Sequence, residues 1–124
     1  MRTLVVEDDF SSRLLLQTYL SKYGECHIAV NGREAIAAFQ AARQQMKPYN
    51  LICMDIMMPE MDGFETMRSI RKIGKFKSLP IIALTAKAMK GDRDTCIEAG
   101  ASDYISKPVD TEQLLSLLRV WLYK

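Results

Sequence analysis

The sequence predicts an α/β domain in which a parallel sheet carries helices on both faces. Three observations predict it. Five short apolar runs alternate with five segments of helical period along the 124 residues, the pattern of consecutive βα units. The central run, "LICMD", is apolar without polar alternation, as expected for a parallel strand covered on both faces. Acids, a hydroxyl and a lysine stand just past the ends of the runs, and open α/β sheets bind ligands outside the carboxyl ends of their strands.

The elements follow in order. "TLVVE" (residues 3–7) reads as the first strand. "SSRLLLQTYLSKYG" (11–24) places Leu16, Leu20 and Tyr23, with Leu15 and Tyr19, on one side of a helix that Gly24 stops. "CHIAV" (26–30) is the second strand. In "NGREAIAAFQAARQQ" (31–45), Asn31 and Glu34 have the spacing of a capping-box variant. "LICMD" is the third strand, and Pro59 and Gly63 punctuate the loop after it. Asp62, with Glu65 three residues on, caps the helix "GFETMRSIRKI" (63–73). "LPIIALT" (79–85) is the fourth strand. "AMKGDRDTCIEAG" (88–100) is a weaker helix that contains Gly91 and ends at Gly100. "ASDYIS" (101–106) is the fifth strand. Asp110 or Thr111 opens the last helix, whose apolar face includes Leu114, Leu118 and Trp121. Right-handed crossovers leave few topologies for such a chain.

Composition narrows the class. Residues 1–124 fit one domain, with 48% apolar and 26% charged residues, a globular balance. A net charge of +2 is too small to argue for direct nucleic-acid or membrane binding. No apolar run is long enough to span a bilayer, and "MRTLVVEDD" meets acid too early for a secretory signal. Cys26, Cys53 and Cys96 are odd in number, without a C-x-x-C spacing. They read as reduced thiols of a cytoplasmic protein.

The strand ends carry the chemistry. Glu7, Asp8 and Asp9 follow the first strand, Asp55 ends the third, Thr85 ends the fourth, and Lys107 and Pro108 follow the fifth. Clustered carboxylates repel and raise one another's pKa. A hard divalent cation, Mg²⁺ with Mn²⁺ as a substitute, relieves that repulsion and suits a site of carboxylates, carbonyls, water and phosphate. Asp55 is then placed to act as a nucleophile toward phosphorus, with Lys107 and the cation stabilising the transferring oxygens. No glycine-rich phosphate loop is present. "EDD" permits Asp8 and Asp9 as the metal pair. Glu7 and Asp8 are preferred because they directly follow "LVV" and leave Asp9 to cap the helix.

The set "VVEDD", "MDIMMPEMDG", "LTA" and "KP", in this order and spacing, resembles the response regulator receiver family of two-component signalling, chemotaxis receivers included, over essentially the whole chain. The resemblance implies a flavodoxin-like (βα)5 fold with strand order 2-1-3-4-5. It implies that Asp55 is the phosphoacceptor, that Asp8 binds Mg²⁺ directly and Glu7 through water, and that the backbone carbonyl of Met57 completes the protein ligands. Thr85 and Lys107 would hold the phosphoryl group, Tyr104 would turn inward as an aromatic switch, and Lys107–Pro108 would be cis. The family's tuning positions are Met57 and Lys87 here. Neither orients water well, so self-hydrolysis of the aspartyl phosphate is expected to be slow.

The function expected is a signalling switch and not an enzyme with turnover. The phosphoryl donor would be a histidine kinase or a histidine phosphotransfer protein. A downstream protein would bind the fourth helix, fifth strand and fifth helix, around Lys90, Tyr104 and Gln113, and the chain would be a monomer or weak dimer. A complete chain would signal by binding proteins; a fragment would come from a hybrid kinase or a transcription factor. A phosphatase with the same nucleophile would need a second aspartate where Met57 stands. A flavin-binding module would find Glu7, Asp8 and Asp9 repelling its phosphate. His27 reads as structural. The basic run "RSIRKIGKFK", with Arg68, Arg71, Lys72, Lys75 and Lys77, reads as a solvated helix face, and the methionines of "MDIMMPEM" as an adaptable rim, Met54 in the core.

Overall fold

Residues 1–58, 61–73, 79–85 and 92–122 are described in the computed structural model of the chain. The elements run β1 (Arg2–Val6), α1 (Phe10–Leu20), β2 (Glu25–Ala29), α2 (Gly32–Gln44), β3 (Leu51–Asp55), α3 (Gly63–Ile73), β4 (Ile81–Thr85), α4 (Asp92–Ala99), β5 (Asp103–Ser106) and α5 (Thr111–Leu122). All five strands are parallel, in the order β2-β1-β3-β4-β5. This is the flavodoxin-like (βα)5 fold expected. Pro59, Lys75, Lys77, Lys87, Lys90 and Gly91 lie outside the described residues.

Side-chain alternation divides the interior into two cores. Leu4, Val6, Ile52, Met54, Ile81 and Ala83 face Phe39 of α2, Met67 and Ile70 of α3, and Cys96 of α4. Val5, Leu51, Cys53, Ile82, Leu84 and Ile105 face Leu16 and Leu20 of α1, and Leu114 and Leu118 of α5. β3 and β4 are buried along their whole length, which is why their sequences lack polar alternation.

The helices start where their caps dictate. Asp9 Oδ2 accepts the Ser12 N–H at 2.9 Å, Asn31 Oδ1 the Glu34 N–H at 2.9 Å, and Asp62 Oδ1 the Glu65 N–H at 2.8 Å. Glu34 reaches back to the Val30 N–H at 3.2 Å, one residue earlier than a standard capping box. For α5, Asp110 is the cap, since its Oδ1 accepts the Glu112 N–H at 2.9 Å. Each such cap is worth about 1 kcal/mol.

Two expectations need correction. α1 ends at Leu20, not near Gly24, and of its expected stripe Leu16 and Leu20 are buried while Leu15 and Tyr23 are 40% and 39% exposed. The chain leaves the helix through Ser21 to reach β2, so Tyr23 never joins the helical face. Gly24 serves a different purpose: at φ 149° it passes so close to Met1 that a Cβ would lie 2.0 Å from the Met1 carbonyl oxygen. The basic run is not wholly solvated either. Arg68 and Lys72 are exposed, but Arg71 donates Nε (3.0 Å) and Nη2 (2.7 Å) to the Gly100 carbonyl past the end of α4. It ties α3 to α4 as a cation at a helix C-terminus.

Gly63 sets how closely α3 approaches β3. A Cβ there would lie 2.4 Å from the Asp55 carbonyl oxygen and 2.5 Å from Ile56 Cα, both backbone atoms that cannot swing away. Gly63→Ala is therefore expected to cost about 1–3 kcal/mol, read as a lowered urea midpoint. An unchanged midpoint would show that the α3–β3 packing yields freely.

Candidate functional site

Strand register assembles the site. Val6 pairs with Met54, so Glu7 and Asp55 stand level on neighbouring strands. Asp55 pairs with Leu84, and Thr85 with Ser106, which puts Thr85 and Lys107 just beyond them at the carboxyl edge. By alternation, Glu7, Asp55 and Lys107 continue the face of Val5, Cys53 and Ile105, whereas Thr85 and Tyr104 continue the opposite face. Tyr104 is half-buried against the α2–α3–α4 core.

Glu7 and Asp55 are 0% and 1% exposed. Lys107 Nζ lies 2.6 Å from Glu7 Oε1 and 3.3 Å from Asp55 Oδ2. The ion pairs are close, yet neither oxygen has a hydrogen bond of good geometry. The other oxygens are engaged: the Met57 N–H donates to Asp55 Oδ1 at 3.0 Å, and the Asp9 N–H to Glu7 Oε2 at 3.2 Å. Thr85 Oγ1, buried, donates weakly to the Ile105 carbonyl at 3.5 Å. The Lys107–Pro108 peptide is cis. Met57 itself is 69% exposed.

The donor set fits a hard divalent cation. One oxygen from each of Glu7, Asp8 and Asp55 lies within 4.8 Å of the others, and Asp8 is exposed, which leaves room for the waters Mg²⁺ retains. With all groups ionised, three carboxylates against one ammonium leave a formal charge of −2 around Glu7 Oε1 and Asp55 Oδ2, both buried and both facing Lys107. Asp9 stays outside this group as the α1 cap, and the Ser12 backbone hydrogen bond holds its carboxyl below the ordinary value.

Electrostatics follow from burial. Removal from water, then the adjacent Glu7 carboxyl, push Asp55 up to about 7 against the opposing pull of the Met57 N–H and Lys107. Burial works against the charged form of Lys107, but its close approach to Glu7 and the Asp55 and Glu7 charges outweigh it and raise its pKa.

The remaining candidates lie elsewhere. His27 Nδ1 is 2.8 Å from the Tyr49 hydroxyl and Nε2 is 3.2 Å from Glu25, a structural setting at the β2 edge. Cys26, Cys53 and Cys96 form no disulfide with one another. Burial pushes Cys53 up to about 12 and Cys26 to about 11, so both are poor nucleophiles at neutral pH.

Residues 3–119 match the family model of the response regulator receiver domain. The chain belongs to that family. Among solved structures, the receiver is similar to the Vibrio cholerae chemotaxis protein CheY4, at 33% identity and a TM-score of 0.86, with 98% of each chain covered. It is also similar to the receiver domain of the sensor histidine kinase PA1611 from Pseudomonas aeruginosa, at 34% identity and a TM-score of 0.81, over 99% of this chain and 98% of that one. That structure has a magnesium ion coordinated in its active-site cleft. Among curated relatives, the hybrid signal transduction histidine kinase I of Dictyostelium discoideum is 35% identical over 99% of this chain, which spans 7% of that protein's length.

Two contacts of the receiver were hidden from sequence reasoning. The Met57 N–H that holds Asp55 is a backbone group, which no side-chain motif advertises. The double ion pair of Lys107 depends on β5 standing two strands from β3 and three from β1, a distance set only by the fold.

The raised Asp55 pKa has a stability consequence. The folded state holds this proton more tightly than the unfolded chain, so in metal-free protein the group destabilises increasingly as pH rises from about 4 through about 7. Asp55→Asn is expected to stabilise the metal-free receiver by roughly 1–3 kcal/mol above pH 7 and by little near pH 4. Mg²⁺ is expected to stabilise the wild type more than the variant. Thermal melts at the two pH values, with and without Mg²⁺, check both; a variant less stable than wild type at pH 8 would contradict the repulsion argument.

Proposed function

We propose that the receiver is a phosphorylation-operated switch in which Asp55 accepts a phosphoryl group from the phosphohistidine of a histidine kinase or histidine phosphotransfer protein. The observation that carries this reading is the placement of Asp55: a buried carboxylate at a strand end, 3.3 Å from Lys107 and grouped with Glu7 and Asp8, in a chain of the receiver family. Glu7, Asp8 and Asp55, with the Met57 carbonyl, would hold Mg²⁺ or Mn²⁺. When bound, the ion neutralises charge on carboxylate and phosphoryl oxygens.

An Asp55 oxygen attacks phosphorus as the phosphorus–nitrogen bond to the donor imidazole breaks; the donor ring is protonated on its other nitrogen, the bonding pair returns to the nitrogen that carried phosphorus, and imidazole leaves neutral. The product is a mixed acyl phosphate on Asp55. Lys107 pairs with the phosphoryl oxygens, in place of part of its present pairing with the carboxylates. The Thr85 hydroxyl, whose bond to the Ile105 carbonyl is long at 3.5 Å, turns to the new acceptor. Tyr104, on the same side of the sheet, follows into the space vacated.

The output surface is formed by α4, β5 and α5 around Tyr104 and the exposed Gln113, and a downstream protein reads it. Turnover is not the task, since the Met57 side chain has no strong donor or acceptor with which to orient water. A cytoplasmic location and a monomeric or weakly dimeric state complete the reading. Among the described residues no helix is long and apolar enough to cross a membrane.

The test is incubation with Mg²⁺ and acetyl phosphate followed by intact-mass analysis. A mass gain of about 80 daltons, one phosphoryl group, is expected for wild type and absent for Asp55→Asn. No gain in folded wild-type protein would remove the phosphoacceptor reading. The adduct is expected to decay with a half-life of minutes or longer, and Lys107→Ala is expected to slow its formation at least tenfold. Decay within seconds would refute the role given to Met57.

A further inference from the structure

Met57 differs from the other methionines in where its backbone is held. Its N–H is fixed 3.0 Å from Asp55 Oδ1, so its Cα stays beside Asp55 whatever the side chain does. The side chain is 69% exposed. It lines an open cavity of about 430 Å³ with Ile56, Met58, Asp62 and Phe64. Met54 and Met67 are fully buried, and Met58 is nearly so. Met46 is 87% exposed but stands at the opposite edge of the sheet. It follows the last turn of α2, and the carbonyl of the next residue, Lys47, accepts from Arg2 at the start of β1. An exposed thioether is open to two-electron oxidants, and the sulfoxide formed is polar where the thioether was apolar.

We propose that Met57 is a redox modification site, and that its oxidation by a hydroperoxide shortens the life of the aspartyl phosphate; the inference rests on the phosphoacceptor reading of Asp55. With hydrogen peroxide, a lone pair of Met57 Sδ attacks one peroxide oxygen and the O–O bond breaks. A proton shifts to the other oxygen, which leaves as water. Sulfur is oxidised by two electrons and the peroxide is reduced. The thioether is only a weak acceptor, whereas the sulfoxide oxygen carries polarised lone pairs. Met has three rotatable side-chain bonds and the Met57 Cα is anchored, so that oxygen can accept a hydrogen bond from a water aligned with phosphorus. The water oxygen attacks phosphorus as the bond from phosphorus to the Asp55 oxygen breaks. Asp55 leaves as carboxylate with the bonding pair, one water proton passes to solvent, and the product is inorganic phosphate. An oxidising environment thereby shortens the phosphorylated state, and methionine sulfoxide reductases reverse the change.

The probe is hydrogen peroxide, added to the full chain and removed before Mg²⁺ and acetyl phosphate are supplied. Peptide mapping by mass is expected to find a gain of about 16 daltons, one oxygen, at Met57 and Met46, with Met54 and Met67 unmodified. The decay of the phosphorylated species, followed by intact mass after acetyl phosphate is removed, is expected to be at least threefold faster in oxidised than in untreated protein. Treatment with methionine sulfoxide reductases is expected to restore the slower decay. Met57→Leu is expected to make the half-life indifferent to peroxide, and Met46→Leu to leave the peroxide effect intact. Met57→Gln, whose amide carbonyl stands in for the sulfoxide oxygen, is expected to shorten the half-life without peroxide. Three outcomes overturn the proposal and leave the Asp55 reading standing: oxidation of Met46 with Met57 spared, a half-life unchanged by oxidation of Met57, and a peroxide effect that persists in Met57→Leu. No phosphoryl adduct in untreated, folded protein overturns both.

Discussion

The structure depends on keeping two carboxylates, Glu7 and Asp55, out of water beside one ammonium. Each would be costly alone, and a buried charge that loses its partner typically destabilises a protein by several kcal/mol. Lys107 reaches both, at 2.6 and 3.3 Å, and still leaves two oxygens without a well-formed hydrogen bond. The rise of Asp55 to about 7 expresses the same imbalance. A site that is under-neutralised in this way has a standing affinity for positive charge, and with a phosphoryl group on Asp55, as proposed, would have more of it. This edge costs stability, and the two apolar cores behind it compensate.

Those cores explain why the imbalance is tolerated. The sheet edge is rigid because β3 and β4 are buried on both faces, and α3 is pressed onto β3 through Gly63. The Met57 N–H that holds Asp55 Oδ1 comes from the loop between them. Preorganised dipoles and charges of this kind act strongly because they need not reorient when charge arrives.

The same alternation that builds the cores divides the site residues between the two sides of the sheet. Glu7, Asp55 and Lys107 belong to one side of the sheet, and Thr85 and Tyr104 to the other. In the switch proposed above, a group attached to Asp55 would reach the second side across the strand ends, where the Thr85 hydroxyl stands. Converting a switch from about 1:99 to 99:1 requires about 5.5 kcal/mol of differential interaction. A few charge-assisted hydrogen bonds are of the size to supply that amount in the proposed switch.

The sequence by itself determined the class of fold, the order of the elements and the identity of the clustered groups, because these are local properties. Apolar periodicity, Gly and Asp punctuation, and the residue just past each strand are all read within a few positions. The caps at Asp9, Asn31 and Asp62 were legible for that reason, and so was the separation of Asp9 from the Glu7–Asp8 pair. What only the tertiary structure decided was what each group meets. Leu15 and Tyr23 looked like core and are exposed because α1 stops at Leu20 to let the chain turn. Arg71 looked like a solvated cation and instead holds a carbonyl 29 residues away. The double ion pair of Lys107 with Glu7 and Asp55 and the Met57 N–H on Asp55 depend on register and strand order, which arise from packing across the sheet and leave no trace in any short stretch of chain.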